Sequence, residues 1–388
     1  MPTKKIVIIG ANEFQNRLIL KAKSLGYETH VFAWASGDIG ETTADYFYPI
    51  SITEKEEILK KCNEINPDAI CSIASDLATL TVNYVAEKLG LPGNPISISE
   101  QCTNKYVMRE VMQRNNIKTP YFIKVTSNDN IEKINLENLH FPVIVKPTDR
   151  SGSRGITKVT NPKNLPEAIK VAQNESFEKS AIVEEFIDGE EYSCECITQD
   201  GKHHLLAFTK KYTTGAPNFI ETGHYEPSDI SQELLGPITE NIFKALSALG
   251  IQNSASHTEF KIDNKGNFGI IEIGARMGGD CIGSDLVELS TGYDFLKMVL
   301  DVSLGNPLDI PKSQPFSHYA LIKFIFSEND LLKIEKANKF YPNSLQYLSQ
   351  DDDFDHKITD SSNRFGFAIY STDNKETATK LQEVLFNE

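Results

Sequence analysis

Short apolar runs alternate with helix-spaced apolar positions through the first hundred residues. Ile6-Val-Ile-Ile9, 29–33 and 69–73 read as buried strands. Helical spacing predicts helices over 14–25, after Thr53 and over 77–89, with Gly26 and Gly90 closing the first and last. This βαβαβα order implies a parallel sheet with helices on its faces. Gly10-Ala-Asn-Glu-Phe14 follows the first strand but lacks the G-x-G-x-x-G spacing of a dinucleotide site. The lobe spanning residues 1–96 is therefore expected to contribute one wall of a cleft.

Pro92 and Pro95 punctuate the end of that lobe. Ser97-x-x-Glu100 has the form of a capping box and predicts one helix running to about Asn115. Lys105, Met108, Arg109 and Met112 share a face of it, so two cations stand on a partly apolar stripe. On the residues alone, such a helix more often lets its lysine tip snorkel to water. From Phe141 the period changes to two. Lys146 shares a strand face with Ile144, Ser151-Gly-Ser-Arg-Gly155 forms a glycine loop, and 181–187 and 193–198 read as strands around a turn at Asp188-Gly189. After Pro307 come a β-rich run, an acidic loop over 350–355, a strand over 365–370 and a helix over 375–385. They are expected to form a small C-terminal α/β appendage.

A length of 388 residues suggests two or three domains, and 40% hydrophobic with 24% charged residues is ordinary for a folded globular chain. The net charge of −15, with no basic tract, disfavours nucleic acid and anionic membranes as partners. A phosphate ligand, if any, is expected to be a small molecule in a local pocket. Met1-Pro-Thr-Lys-Lys leads into an apolar run too short for a signal peptide or a membrane span, so a cytoplasmic location is expected. The six cysteines include no CxxC pair and read as reduced, packed side chains.

The most informative segment is a hairpin. Asp263-Asn-Lys-Gly-Asn267 reads as its turn, and pairing Asp263 with Phe268 across four residues brings Glu259 opposite Glu272. Their Cβ atoms would lie about 5 Å apart. Two carboxylates at that range repel by roughly 3 kcal/mol at an effective dielectric near 20, so the arrangement calls for a cation. Oxygen-only ligation suggests Mg²⁺ or Mn²⁺, and magnesium held by one or two carboxylates usually serves phosphates.

A strand lysine, a glycine loop, an acidic-apolar strand and a paired-carboxylate hairpin, in this order, resemble the ATP-grasp superfamily, specifically its carboxylate–amine ligases. The resemblance covers about 97–305. It implies an α/β and α+β architecture: a Rossmann-like lobe over 1–96, an ATP-grasp domain over 97–305 with a mobile glycine-loop sub-lobe over about 118–187, and the appendage over 306–388. The resemblance further implies ATP with Mg²⁺ or Mn²⁺ as cofactors, and small-molecule carboxylate and amine substrates. A homodimer is also implied, since dimers are common among members.

Residue by residue, Lys105 resembles the lysine reaching the nucleotide phosphates, and Lys146 the one beneath the α- and β-phosphates. Ser151, Gly152, Ser153 and Gly155 resemble the loop that closes over them. Glu184 would accept from the adenine amino group, the backbone of Glu185, Phe186 and Ile187 would line the base, and Glu191 would take the ribose hydroxyls. Glu259 and Glu272 match the metal-binding glutamates, and Arg276 matches the arginine of a Glu-x-Asn-x-Arg run. That asparagine is replaced by Gly274, which leaves one metal ion or two open. The segment Thr213 to His224 is similar to a substrate loop, with His224 a candidate proton acceptor, and Met277 to Asp280 would offer backbone N–H groups near the acyl acceptor. Two other readings remain at this stage: a carboxylase or purine-pathway ligase using bicarbonate or formate, and a nucleotide-binding module without catalysis.

Overall fold

The computed structural model describes residues 2–131, 134, 136–217, 219–311, 314, 317–351 and 353–387, so position 352 of the acidic loop lies outside the described residues. The first lobe contains β1 (Lys5–Ile9), α1 (Glu13–Ser24), β2 (Glu28–Phe32), α2 (Ile39–Thr43), β3 (Tyr46–Tyr48), α3 (Lys55–Ile65), β4 (Ala69–Cys71) and α4 (Asp76–Leu89). Its four strands are parallel in the order β3-β2-β1-β4, with β1 buried on both faces as its unbroken apolar run requires.

The helix expected over 97–115 is divided. A 3-10 turn and α5 (Ser99–Thr103) precede α6 (Lys105–Arg114), and Asn104 between them is extended. The Asn104 side chain accepts from the N–H groups of Tyr106 and Val107, so the preference of asparagine for a helix N-terminus overrides the continuous helical pattern.

A second sheet holds β5 (Phe122–Thr126), β6 (Val143–Pro147), β7 (Thr157–Val159) and β8 (Ser180–Glu185), with α7 (Leu165–Glu175) across it. The strands are antiparallel in the order β5-β8-β6-β7. The third sheet begins with β9 (Glu190–Gln199), β10 (Lys202–Thr213), β11 (Glu221–Glu226), α8 (Gln232–Ala248), β12 (Ser254–Ile262) and β13 (Phe268–Gly274). After α9 (Val287–Thr291) and α10 (Phe295–Ser303), the C-terminal segment adds β14 (Tyr319–Phe324), α11 (Glu328–Phe340), β15 (Leu345–Gln350), β16 (Gly366–Thr372) and α12 (Lys375–Phe386). Eight strands run in the order β13-β12-β9-β10-β11-β14-β16-β15, so the C-terminal α/β segment continues this sheet through the β11–β14 pairing.

The hairpin register carries the site. Glu259 pairs with Glu272, as the turn predicts, but by a different route. Ile262, not Asp263, pairs with Phe268, giving a five-residue turn, and a bulge at Ile271 restores the register before Glu272. Asp263 closes the turn by accepting from the N–H groups of Lys265 and Asn267. Among the described residues no helix is long and apolar enough to cross a membrane.

Candidate active site

Two adjoining cavities meet at Lys105, Glu259 and Glu272. The larger, of about 900 Å³, opens between the first lobe, the glycine loop and the third sheet. The smaller, of about 100 Å³, lies between the second and third sheets and is lined by Ile144, Ile156, Phe186, Ile187, Phe219 and Ile271, with Lys146 and Glu191 among its polar groups. A narrow apolar slot thus opens onto a charged junction, and the junction onto a roomier chamber of mixed lining.

The break at Asn104 sets Lys105 at the start of α6, where its own N–H donates to Thr148 O at 2.7 Å. Its Nζ donates to Glu272 Oε1 at 2.8 Å and to Arg150 O, tying helix, hairpin and glycine loop together. One turn on, Arg109 is 1% exposed. It donates to Glu184 Oε2 at 2.9 Å, to Ile270 O at 3.0 Å and to Ile271 O at 2.8 Å, so the bulge carbonyls are paired. Lys146 Nζ lies 2.6 Å from Glu184 Oε1. Burial would raise the Glu184 carboxyl, but the Arg109 and Lys146 charges hold it at about 2. Burial lowers the Lys146 ammonium from its ordinary value, and Glu184 opposes that. Both Glu184 oxygens are thus engaged by cations, and the same carboxylate also lines the smaller cavity.

The paired carboxylates are not bare either. Glu272 meets Lys105, and Glu259 meets Lys211 Nζ at 2.6 Å. Lys211 also stands 3.4 Å from Glu191 and 3.6 Å from Glu221, one buried ammonium among three carboxylates. His257 Nε2 lies 3.3 Å from Glu259 Oε1, while its Nδ1 meets the fully buried Glu195. Burial would lower the imidazole, yet Glu195 and Glu259 lift it to about 9. The other oxygen of Glu195 accepts from Gly278 N at 2.9 Å, which fixes the backbone after Arg276. A Cβ on Gly278 would fall 2.6 Å from Glu195 Oε1, so this approach requires glycine.

Arg276 is held from the opposite lobe. It donates from Nε to Asp76 Oδ1 at 2.8 Å and from Nη2 to Asp76 Oδ2 at 3.1 Å, a bidentate pair. Asp76 opens α4, where the helix N-terminus favours a carboxylate. A Cβ added at Gly274 would stand 2.9 Å from Asp76 Oδ1 and 3.2 Å from Arg276 Cζ. The space of the expected asparagine is thus taken up by this pair.

In the glycine loop, Gly152 and Gly155 have φ of +72° and +67°, and Ser153 Oγ donates to Phe219 O at 3.1 Å. Ser151 and Gly152 line the larger cavity and Ser153 the smaller. His224 differs from its expected setting in a loop: it lies within β11, fully buried, 3.7 Å from Asp280 Oδ2. Burial pushes its pKa down, so the ring is neutral near pH 7, and neither nitrogen has a hydrogen-bond partner among the described residues. Asp280 is gripped by Arg364 from the C-terminal segment at 2.5 and 2.9 Å.

Lys211, Asp76, Glu195, His257 and Arg364 escaped the sequence reading. Lys211 sits in the twelve-residue strand β10, whose polar composition hid its alternation; the others act through partners remote in sequence. The donor set suits a hard divalent cation: two carboxylates face one junction, each now neutralised by an ammonium. Among the described residues no group of three or more His, Cys, Asp or Glu side chains is arranged to hold a metal. Phosphate or water oxygens would have to complete such a shell.

Residues 139–285 match the model of a family described as the ATP-grasp domain. Alanine–anticapsin ligase of Bacillus subtilis is 30% identical over 279 residues, covering 66% of this chain and 58% of that protein. The chain thus spans less than two thirds of the length of that relative. The crystal structure of an L-amino acid ligase from Bacillus licheniformis superposes with a TM-score of 0.82 at 25% identity, over 98% of this chain and 97% of that one. Phosphoribosylglycinamide synthetase from Anaerococcus prevotii shares the fold, with a TM-score of 0.76 at 22% identity, over 99% and 98% of the two chains.

Proposed function

Because the chain carries an ATP-grasp domain, we propose that it is an ATP-dependent carboxylate–amine ligase, which activates an acid as an acyl phosphate and joins it to an amine. The observation that carries this reading is the meeting of a slot and a chamber at Lys105, Glu259 and Glu272. The slot suits a planar base, with the Glu185–Ile187 backbone at its edge and Glu191 accepting from ribose hydroxyls. Glu184 anchors Lys146 beneath the phosphates. Lys105, Lys146 and Lys211 surround the place where a polyphosphate would end.

A carboxylate is a poor electrophile in water. In the proposed sequence its oxygen attacks the γ-phosphorus, ADP leaves, and the amine nitrogen then attacks the acyl carbon. The carbon–oxygen bond to phosphate breaks, the amine gives up a proton, and an amide, ADP and phosphate result. Glu259 and Glu272 would hold Mg²⁺ or Mn²⁺, which neutralises charge on the phosphate oxygens. Lys105 and Lys211, now on those carboxylates, would turn toward phosphate oxygens. Arg276, oriented by Asp76, would face the charge that develops during transfer. The neutral His224 imidazole lines the chamber and is suited to accept the ammonium proton of the amine. The glycine loop would exclude water, which otherwise hydrolyses the acyl phosphate.

Release of ADP and phosphate that requires both an acid and an amine is the expected result of assaying the purified chain with ATP and Mg²⁺. Tight ATP binding without phosphate release for any pair of acids and amines, bicarbonate and formate included, would leave a binding module instead. Lys146→Ala is expected to raise the KM for ATP by about tenfold or more, since it removes a buried charge facing the phosphates. An unchanged KM and kcat would remove that role.

A further inference from the structure

The chamber is chemically divided. Around the junction it is lined by cations, among them Lys105, Lys211 and Arg276. Its other end reaches the carboxyl ends of β1, β2 and β4, where ligands of open parallel sheets ordinarily lie. There Phe14, Trp34, Ile52, Leu77 and Leu80 give the wall an apolar face, with Asn12, Gln15 and Ser75 beside them. No lysine, arginine or histidine from residues 1–100 lines the chamber among the described residues, whereas Asp38, Asp76 and Glu100 do. Trp34 is 51% exposed, and the chamber is what it faces.

A phosphate or carboxylate at this end would lose its hydration beside Asp38 and Glu100, with no lysine, arginine or histidine of this lobe to offset it, since Asp76 is already taken by Arg276. An apolar side chain would instead cover exposed indole and aliphatic surface. We propose that Trp34 and the aliphatic wall beside it form a specificity subsite for the uncharged, apolar side chain of a substrate, and that they reject phosphorylated or acidic groups there. This deepens the ligase reading and rests on it for the identity of the reaction.

Trp34 is the single tryptophan of the chain, so its emission reports the subsite without turnover. With Mg²⁺ and ADP present, L-leucine and L-phenylalanine are expected to change tryptophan emission saturably, whereas O-phospho-L-serine and L-aspartate leave it flat at the same concentrations. An equal or larger response to the phosphorylated or acidic probes would overturn the proposal, as would no response to any probe. In the ligase assay, Trp34→Ala should raise the KM for the apolar substrate about tenfold with kcat largely kept, and Trp34→Phe should recover most of that loss. An unchanged KM in Trp34→Ala would equally overturn it. Failure of the ligase reading would look different: a saturable emission change with no phosphate release from any acid–amine pair.

Discussion

Replacing Glu272 with glutamine is expected to lower acid- and amine-dependent ADP release by about a thousandfold or more while the fold survives. The substitution keeps shape and removes one of the two carboxylates facing each other across β12 and β13. It also removes the carboxylate charge beside the Lys105 ammonium, which keeps Arg150 O as an acceptor at 2.5 Å and can still donate to the glutamine oxygen. A glutamine oxygen can still touch a divalent ion, but without the charge that offsets the ion's lost hydration. Titration of Mn²⁺ against the nucleotide-bound variant should therefore show weaker metal binding, with nucleotide affinity in the absence of metal little changed. Wild-type kcat together with an unaltered metal requirement would remove Glu272 from the metal site.

Arg109→Met should destabilise the protein by about 3–5 kcal/mol, the usual cost of removing one partner from a buried ion pair. Methionine fills the volume but leaves Glu184 with Lys146 alone and the carbonyls of Ile270 and Ile271 unpaired. The loss should depend on pH. Glu184 titrates at about 2 in the folded chain against an ordinary 4.5, so its stabilising contribution is complete above 4.5 and is lost as pH falls through 2. Denaturant midpoints of wild type and variant should lie farthest apart near neutrality and converge in acid. A gap that is constant from pH 7 to pH 3 would mean that the Arg109–Glu184 charge pair is not what the variant breaks.

Much of the site was legible because strand and hairpin periodicities are local. The alternation that put Lys146 on one face with Ile144, and the turn chemistry of Asp263, depend on neighbours a few residues away. Even there the bulge at Ile271 was invisible, since an extra residue in one strand is stabilised by Arg109 from a distant helix. The break at Asn104 was concealed for the opposite reason: amphipathic spacing ran through it, and only the bond from Lys105 N–H to Thr148 shows what the extended residue accomplishes. Partners such as Asp76 for Arg276 or Glu195 for His257 lie 200 and 62 positions apart. Hydrophobic patterning has no means of joining them, because a charge network is specified by three-dimensional neighbours rather than by period.

The contact that fills the space beside Gly274 ties the first lobe directly to the candidate site. Asp76 begins α4, and one turn of that helix later Leu80 borders the same chamber as Trp34. A molecule that pushes on this helix would therefore also pull on the guanidinium clasped at its tip.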